Sequence, residues 1–258
     1  MFLMYADEAD QDGSREFLVY AAVFFPADAT LKLHKEVVRL RYKYGFKDGD
    51  LLKFSTGTKP KHVDRGDHTK LKNDILNLAT DFGCQTCCYV VPHSIAKGQD
   101  NQTRLKFGIN TLLLKFDQFL RESGKVAGTV RFDHTNDFKQ MAYFEEVFQL
   151  GMDFQGKRKK LDHIVSIEQT SIGLSHLSSI ADIVVGSFRF VINEPDKDQV
   201  GALLFKQLSK LMWGEKNKSG TKLVRERGLC IRPRTVEHSE YEADIAAFVD
   251  RLVKYQQA

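Results

Sequence analysis

The chain has 258 residues, 42% of them hydrophobic and 28% charged, with a formal net charge of +4. That composition excludes disordered and collagen-like classes and suits a globular protein with a large core. The mildly basic balance permits a phosphate-bearing partner without requiring one.

In chain order, residues 2–7 form an apolar run and residues 16–25 a second run of strand character. The polar, glycine-containing link between them predicts an antiparallel hairpin. The first run ends on two adjacent carboxylates, Asp7 and Glu8. Residues 28–44 suit an exposed helix, and a short extended piece is expected at "LLKFS". Residues 64–82 predict a helix through Leu71, Ile75, Leu78 and Phe82, spaced by three and four. A strand over 83–91 and a long helix over 103–123 follow.

The stretch "VAGTVRFDHTND" reads as a strand ending in Asp133, residues 138–152 as a helix, and "HIVSIEQT" as a further strand. Between the last two lies a loop carrying Lys157, Arg158, Lys159 and Lys160. Helices are expected over 174–192, 198–213 and 240–255, the last two bracketing a basic, poorly patterned segment. A hairpin followed by alternating strands and helices predicts an α/β fold with a mixed sheet and helices on both faces. No repeat or linker marks a boundary, so one domain over 1–258 is expected, with a helical extension from about 195.

The first residues lack the basic region of a signal peptide. The most apolar later stretch, "IADIVVGSFRFVI", contains Asp182 and Arg189 and is too short and charged to span a bilayer. A cytoplasmic protein with no membrane partner is expected. The stretch "CQTCC" has the spacing of a zinc knuckle, but Cys230 stands alone where a second ligand pair is needed. On a strand Cys84 and Cys87 point to opposite faces, so reduced, half-buried cysteines are expected.

Three acidic residues occupy related places: Asp7 and Asp133 at strand ends, and Asp182 inside an apolar helix. Any one alone reads as an ordinary strand-end or surface carboxylate. Together they point to a site, because open α/β sheets place ligands at the carboxyl ends of their strands. Leu177, Ile180, Ala181, Val184, Phe188 and Val191 mark the core face of the helix, and Ser175, Ser178, Asp182 and Gly186 a neighbouring strip of small residues. A carboxylate so framed can be approached closely by the sheet, a metal ion or a phosphate. A cluster of carboxylates repels itself unless a cation holds it, and oxygen-only ligands select Mg2+ or Mn2+. The common phosphate-loop, dinucleotide, serine-hydrolase and zinc-protease motifs do not occur.

The segments "YADEADQDG", "DLLKFST", "VRFDHTND" and "SIGLSHLSSIADIVVGSFRF", in this order and spacing, resemble the family called domain of unknown function 3800. The resemblance spans residue 5 to about 192. It implies a ribonuclease H-like fold in which Asp7, Asp133 and Asp182 bind divalent metal for nucleic-acid cleavage, with Glu8 and Lys53 as nearby polar members. The pattern departs from the family at Ala9, Asp10, Leu51 and Ser179 and keeps the three aspartates.

The expected activity is therefore that of a metal-dependent nuclease. Lys53 would contact the scissile or an adjacent phosphate, and Lys157, Arg158, Lys159 and Lys160 would track a nucleic-acid strand, unless that run is only a solvated surface. An inactive nucleic-acid or protein binding module of the same fold, in phage defence or a mobile element, is the alternative. A phosphatase for small phosphate esters is a third. Oligomeric state is not legible.

Overall fold

The computed structural model describes residues 1–9, 14–96, 98–134, 137–154, 156–235 and 239–257; the side chain of Glu8, like all of Asp10, lies outside them. The chain opens with β1 (Phe2–Ala9), β2 (Phe17–Pro26), α1 (Thr30–Lys43), α2 (Arg65–Asp81), β3 (Gln85–Pro92) and the short α3 (His93–Ala96). It continues through α4 (Asn101–Glu122), β4 (Gly128–Asp133), α5 (Phe138–Leu150), β5 (Met152–Phe154), β6 (Lys157–Lys159) and β7 (Ile164–Thr170). Then come α6 (His176–Asn193), α7 (Asp198–Leu211), β8 (Glu215–Lys216), β9 (Lys222–Leu223), β10 (Leu229–Ile231) and α8 (Ser239–Gln257).

Six strands form the main sheet in the order β10-β3-β2-β1-β4-β7. β1, β2 and β3 run antiparallel in succession, while β4 is parallel to β1 and β7 to β4. This mixed sheet opening on an antiparallel hairpin is the ribonuclease H-like α/β arrangement that the resemblance implies.

The alternation of strand side chains explains why β2 is apolar throughout. Phe17, Val19, Ala21 and Val23 enter one core with residues of α1, α2, α6 and α7. Leu18, Tyr20, Ala22 and Phe24 enter a second core with Ile109, Leu112 and Phe116 of α4 and Phe144 of α5. Helix starts are fixed locally: Asp64 accepts hydrogen bonds from the Gly66 and Asp67 amides, Asp100 from the Thr103 amide, and Ser175 from the Leu177 amide.

The segment "LLKFS", expected as a short extended piece, is coil held between α2 and α6 by side chains. Two expectations are corrected. The lysine run is not a loop but strand β6, paired with β5. Its turn is closed by Asp153, which accepts from the Gly156 amide at 3.1 Å, and Gly156 takes a positive φ of 74°. The basic segment after α7 is not a mere helical connection: it carries a small hairpin, β8–β9, and then β10, which extends the main sheet beside β3. The buried trio Leu229, Cys230 and Ile231 was too short to show a period against its charged flanks.

All four cysteines are free, and they are buried rather than half-buried. Cys84 and Cys88 lie in one core and Cys87 and Cys230 in the other, as strand alternation requires. Among the described residues no helix is long and apolar enough to cross a membrane.

Candidate active site

The register of β1 on β4 brings the first two aspartates together. Ala6 pairs with Phe132, so the next residues, Asp7 and Asp133, leave the parallel strands side by side at their carboxyl ends. Two positions back, Tyr5 and Arg131 point to the face covered by α6, where the Arg131 guanidinium donates to the Tyr5 hydroxyl at 2.6 Å. With a period of two, Asp7 and Asp133 belong to that face as well.

α6 supplies the third carboxylate. Asp7, Asp133 and Asp182 line one small cavity together with Arg131, Thr170 and Ser178. Its volume is about 20 Å3, room for one water-sized occupant. The Ser178 hydroxyl is buried there and, among the described residues, has no hydrogen-bond partner.

Asp182 is the most constrained of the three. Its Oδ2 accepts from the Phe54 amide at 2.5 Å. Burial pushes its carboxyl above the usual range and nearby Asp133 pushes it further, while the Phe54 hydrogen bond and the Lys53 and Lys72 ammonium groups pull it back.

The coil through Lys53 and Phe54 is itself clamped. His68 Nε2 lies 2.9 Å from the Lys53 carbonyl, and Lys72 donates to the Phe54 carbonyl at 3.0 Å while lying over the Phe54 ring. Burial lowers the Lys72 pKa, as does Arg65, and Asp182 opposes this. Gly186, one turn beyond Asp182, packs against that side chain: a Cβ there would stand 2.3 Å from the Phe54 Cγ. The strip of small residues on α6 thus admits Phe54 at Gly186 and faces β1 at Ser175 and Ser178, where the Ser175 hydroxyl lies 3.4 Å from the Tyr5 hydroxyl.

A larger cleft of about 550 Å3 adjoins the aspartate cavity and shares Tyr5, Arg131 and Ile172 with it. His34 and His176 line it with their rings tilted and 5.0 Å apart, together with Arg41. Burial lowers the His176 pKa, with Arg41 and His34 adding to the effect.

The structure therefore places Asp7, Asp133, Asp182 and Lys53 in one neighbourhood. The lysine run is elsewhere: Lys159 lines a different groove, on the α4 side of the sheet, and Arg158 is paired with Glu146 at 2.6 Å. Sequence reasoning missed Lys72 and Arg131. Lys72 follows Leu71 of the apolar stripe, a place where lysine is ordinarily solvated, and nothing local marks it.

A divalent cation fits the chemistry of this site: three carboxylates, an unpartnered buried hydroxyl and one carboxyl whose charge burial disfavours. Among the described residues, no group of three or more His, Cys, Asp or Glu side chains is drawn together closely enough to hold a metal ion as it stands.

No family model matches the chain. No curated protein matches it either. Among solved structures, the chain is similar to one in the PCNA:RNase HII complex from Archaeoglobus fulgidus, at 12% identity and a TM-score of 0.44, covering 97% of this chain and 89% of that one. It is also similar to Bst-RNase HIII in complex with Mn2+, at 11% identity and a TM-score of 0.37, covering 82% of this chain and 64% of that one.

Proposed function

We propose that this chain is a divalent-metal-dependent nuclease that hydrolyses phosphodiester bonds in a nucleic acid. The observation that carries the reading is the meeting of Asp7, Asp133 and Asp182, from two adjacent strand ends and one helix, around a single cavity. Asp7, Asp133 and Asp182 would hold Mg2+ or Mn2+, with Glu8 following in sequence. Bound there, such ions supply an activated water and stabilisation of the leaving oxygen.

The remaining work falls to the chain's own cations. Lys53 and Lys72 flank Asp182 and can face the negative charge of a phosphate. Arg131, anchored on Tyr5 and on Glu168 at 2.9 Å, presents a fixed guanidinium at the cavity wall. The adjoining cleft with His34 and His176 offers the strand a path away from the aspartates.

The contacts of Asp182 favour a second reading, a binding module of the same fold. The Phe54 amide and two lysines offset part of the cost of its charge, which helps the cluster persist without a cation.

The deciding experiment is cleavage of labelled single-stranded, duplex and hybrid oligonucleotides with Mn2+ or Mg2+, beside Asp7→Asn and Asp182→Asn. Metal-stimulated cleavage lost in both variants supports the nuclease. Absence of cleavage, together with no calorimetric binding of Mn2+ in the low-millimolar range, supports the module instead.

A further inference from the structure

On the face of the sheet away from the three aspartates, a groove of about 720 Å3 runs along α4, a size typical of small-molecule sites. Its floor is built from β2 and β3, through Leu18, Tyr89 and Val91, which belong to the second core. Its walls carry Arg104, Lys115, Arg121, Lys159, Arg232 and Arg234 against two carboxylates, Asp117 and Asp153.

Both carboxylates are engaged within the protein. Asp117 accepts from the His163 amide at 3.0 Å, and Asp153 closes the β5–β6 turn on Gly156. Glu226 binds Arg232 and Arg234, at 2.8 Å and 2.7 Å, and so answers part of the charge.

Lys115 is the most informative of the cations. It is only 9% exposed, its ammonium donates to the Glu226 main-chain carbonyl, and among the described residues no carboxylate forms an ion pair with it. A buried cation with no counter-ion is costly unless an anion completes it. At the mouth of the groove Phe107 stands 51% exposed, on the same helix. Its ring is therefore open to a partner in the groove.

From these features we infer that this groove binds a nucleotide, its phosphates set among Lys115, Arg104 and Arg121 and its base against Phe107. Six cations, two of them paired with Glu226, outnumber the carboxylates around a cavity of single-ligand size and favour a compact polyanion, which phosphates supply and one or two peptide carboxylates do not. Phe107 adds a stacking face for a planar ring. The same chemistry belongs to a free nucleotide and to the terminal nucleotide of a strand. The inference does not rest on the nuclease reading.

The test is calorimetric titration of the full chain with adenosine diphosphate, with a 5′-phosphorylated oligonucleotide and with tripolyphosphate, in chelator so that no metal contributes. Saturable binding of the nucleotide or the oligonucleotide is expected, and the tighter of the two identifies the source. Phe107→Ala and Arg121→Ala, both at exposed positions, should each weaken it about tenfold, and Lys115→Met should do so by at least as much. The inference is overturned by absence of saturable binding to both ligands, by tripolyphosphate binding as tightly and unchanged in Phe107→Ala, or by binding that is unchanged in both Phe107→Ala and Lys115→Met.

Discussion

Asp117 and Asp182 are both aspartates inside long helices, on opposite sides of one sheet, and both accept a main-chain amide from a distant segment. Asp117 is 6% exposed; one oxygen serves the His163 amide and lies 3.3 Å from the same residue's Nδ1. The His163 carbonyl in turn accepts from the Gly128 amide, so the carboxylate fastens the entry of β7 to the entry of β4. Asp182 also fastens a segment, but it shares its cavity with Asp7 and Asp133. Company, rather than burial, separates the two: a carboxylate with donors around it holds structure, while one gathered with its own kind needs something more to neutralise it.

The largest expected effect tests that distinction directly. Asp182→Asn should lower metal-stimulated cleavage by ~100-fold or more, the scale for deleting one group of a preorganised site, and leave the circular dichroism spectrum unchanged. Asp117→Asn should leave the turnover per folded molecule intact. Equal losses in both variants would collapse the comparison.

Next in size is Gly186→Ala. The added methyl would meet the Phe54 ring, so Phe54 must shift and take its amide away from Asp182. Overpacking of this kind costs about 1–3 kcal/mol, readable in a urea titration, and cleavage should fall with it. Asp117→Ala should cost a similar or smaller amount, about 1–3 kcal/mol, because the His163 amide loses its acceptor; here stability falls and cleavage does not.

Much of this arrangement was legible in the residues themselves. Asp7 and Asp133 were visible because each closes an apolar run, and α6 because its apolar stripe singled out the position of Asp182. Their convergence depends on β1 pairing with β4, a contact between segments more than a hundred residues apart, which no local period encodes. The same holds for Phe54 on Gly186 and Lys72 on Phe54. The cationic groove escaped for a related reason: Arg104 and Lys115 of α4, Lys159 of β6 and Arg232 after β10 come from three separate segments. Asp117 drew no notice because one aspartate on the rear of an amphipathic helix is what an exposed helix ordinarily carries.

The smallest effect concerns pH, and it centres on Asp182. Its folded pKa is raised by burial, so the folded chain binds a proton there more tightly than the unfolded chain does. That stabilisation is complete below the unfolded value of about 3.9 and is lost as pH rises through the raised folded value. Glu16 is raised too, and Glu168 is lowered by its bond to Arg131, but both are shared by parent and variant and cancel in the difference. In chelator, Asp182→Asn should therefore match or exceed the parent in stability near neutral pH, and the difference should shift in the parent's favour as the medium is acidified. Adding Mn2+ at neutral pH should raise the melting temperature of the parent and not of the variant, since a bound cation removes the cost of keeping Asp182 ionised. A parent whose melting temperature ignores Mn2+ and whose pH profile parallels the variant's would place Asp182 with Asp117, as a carboxylate that only holds structure.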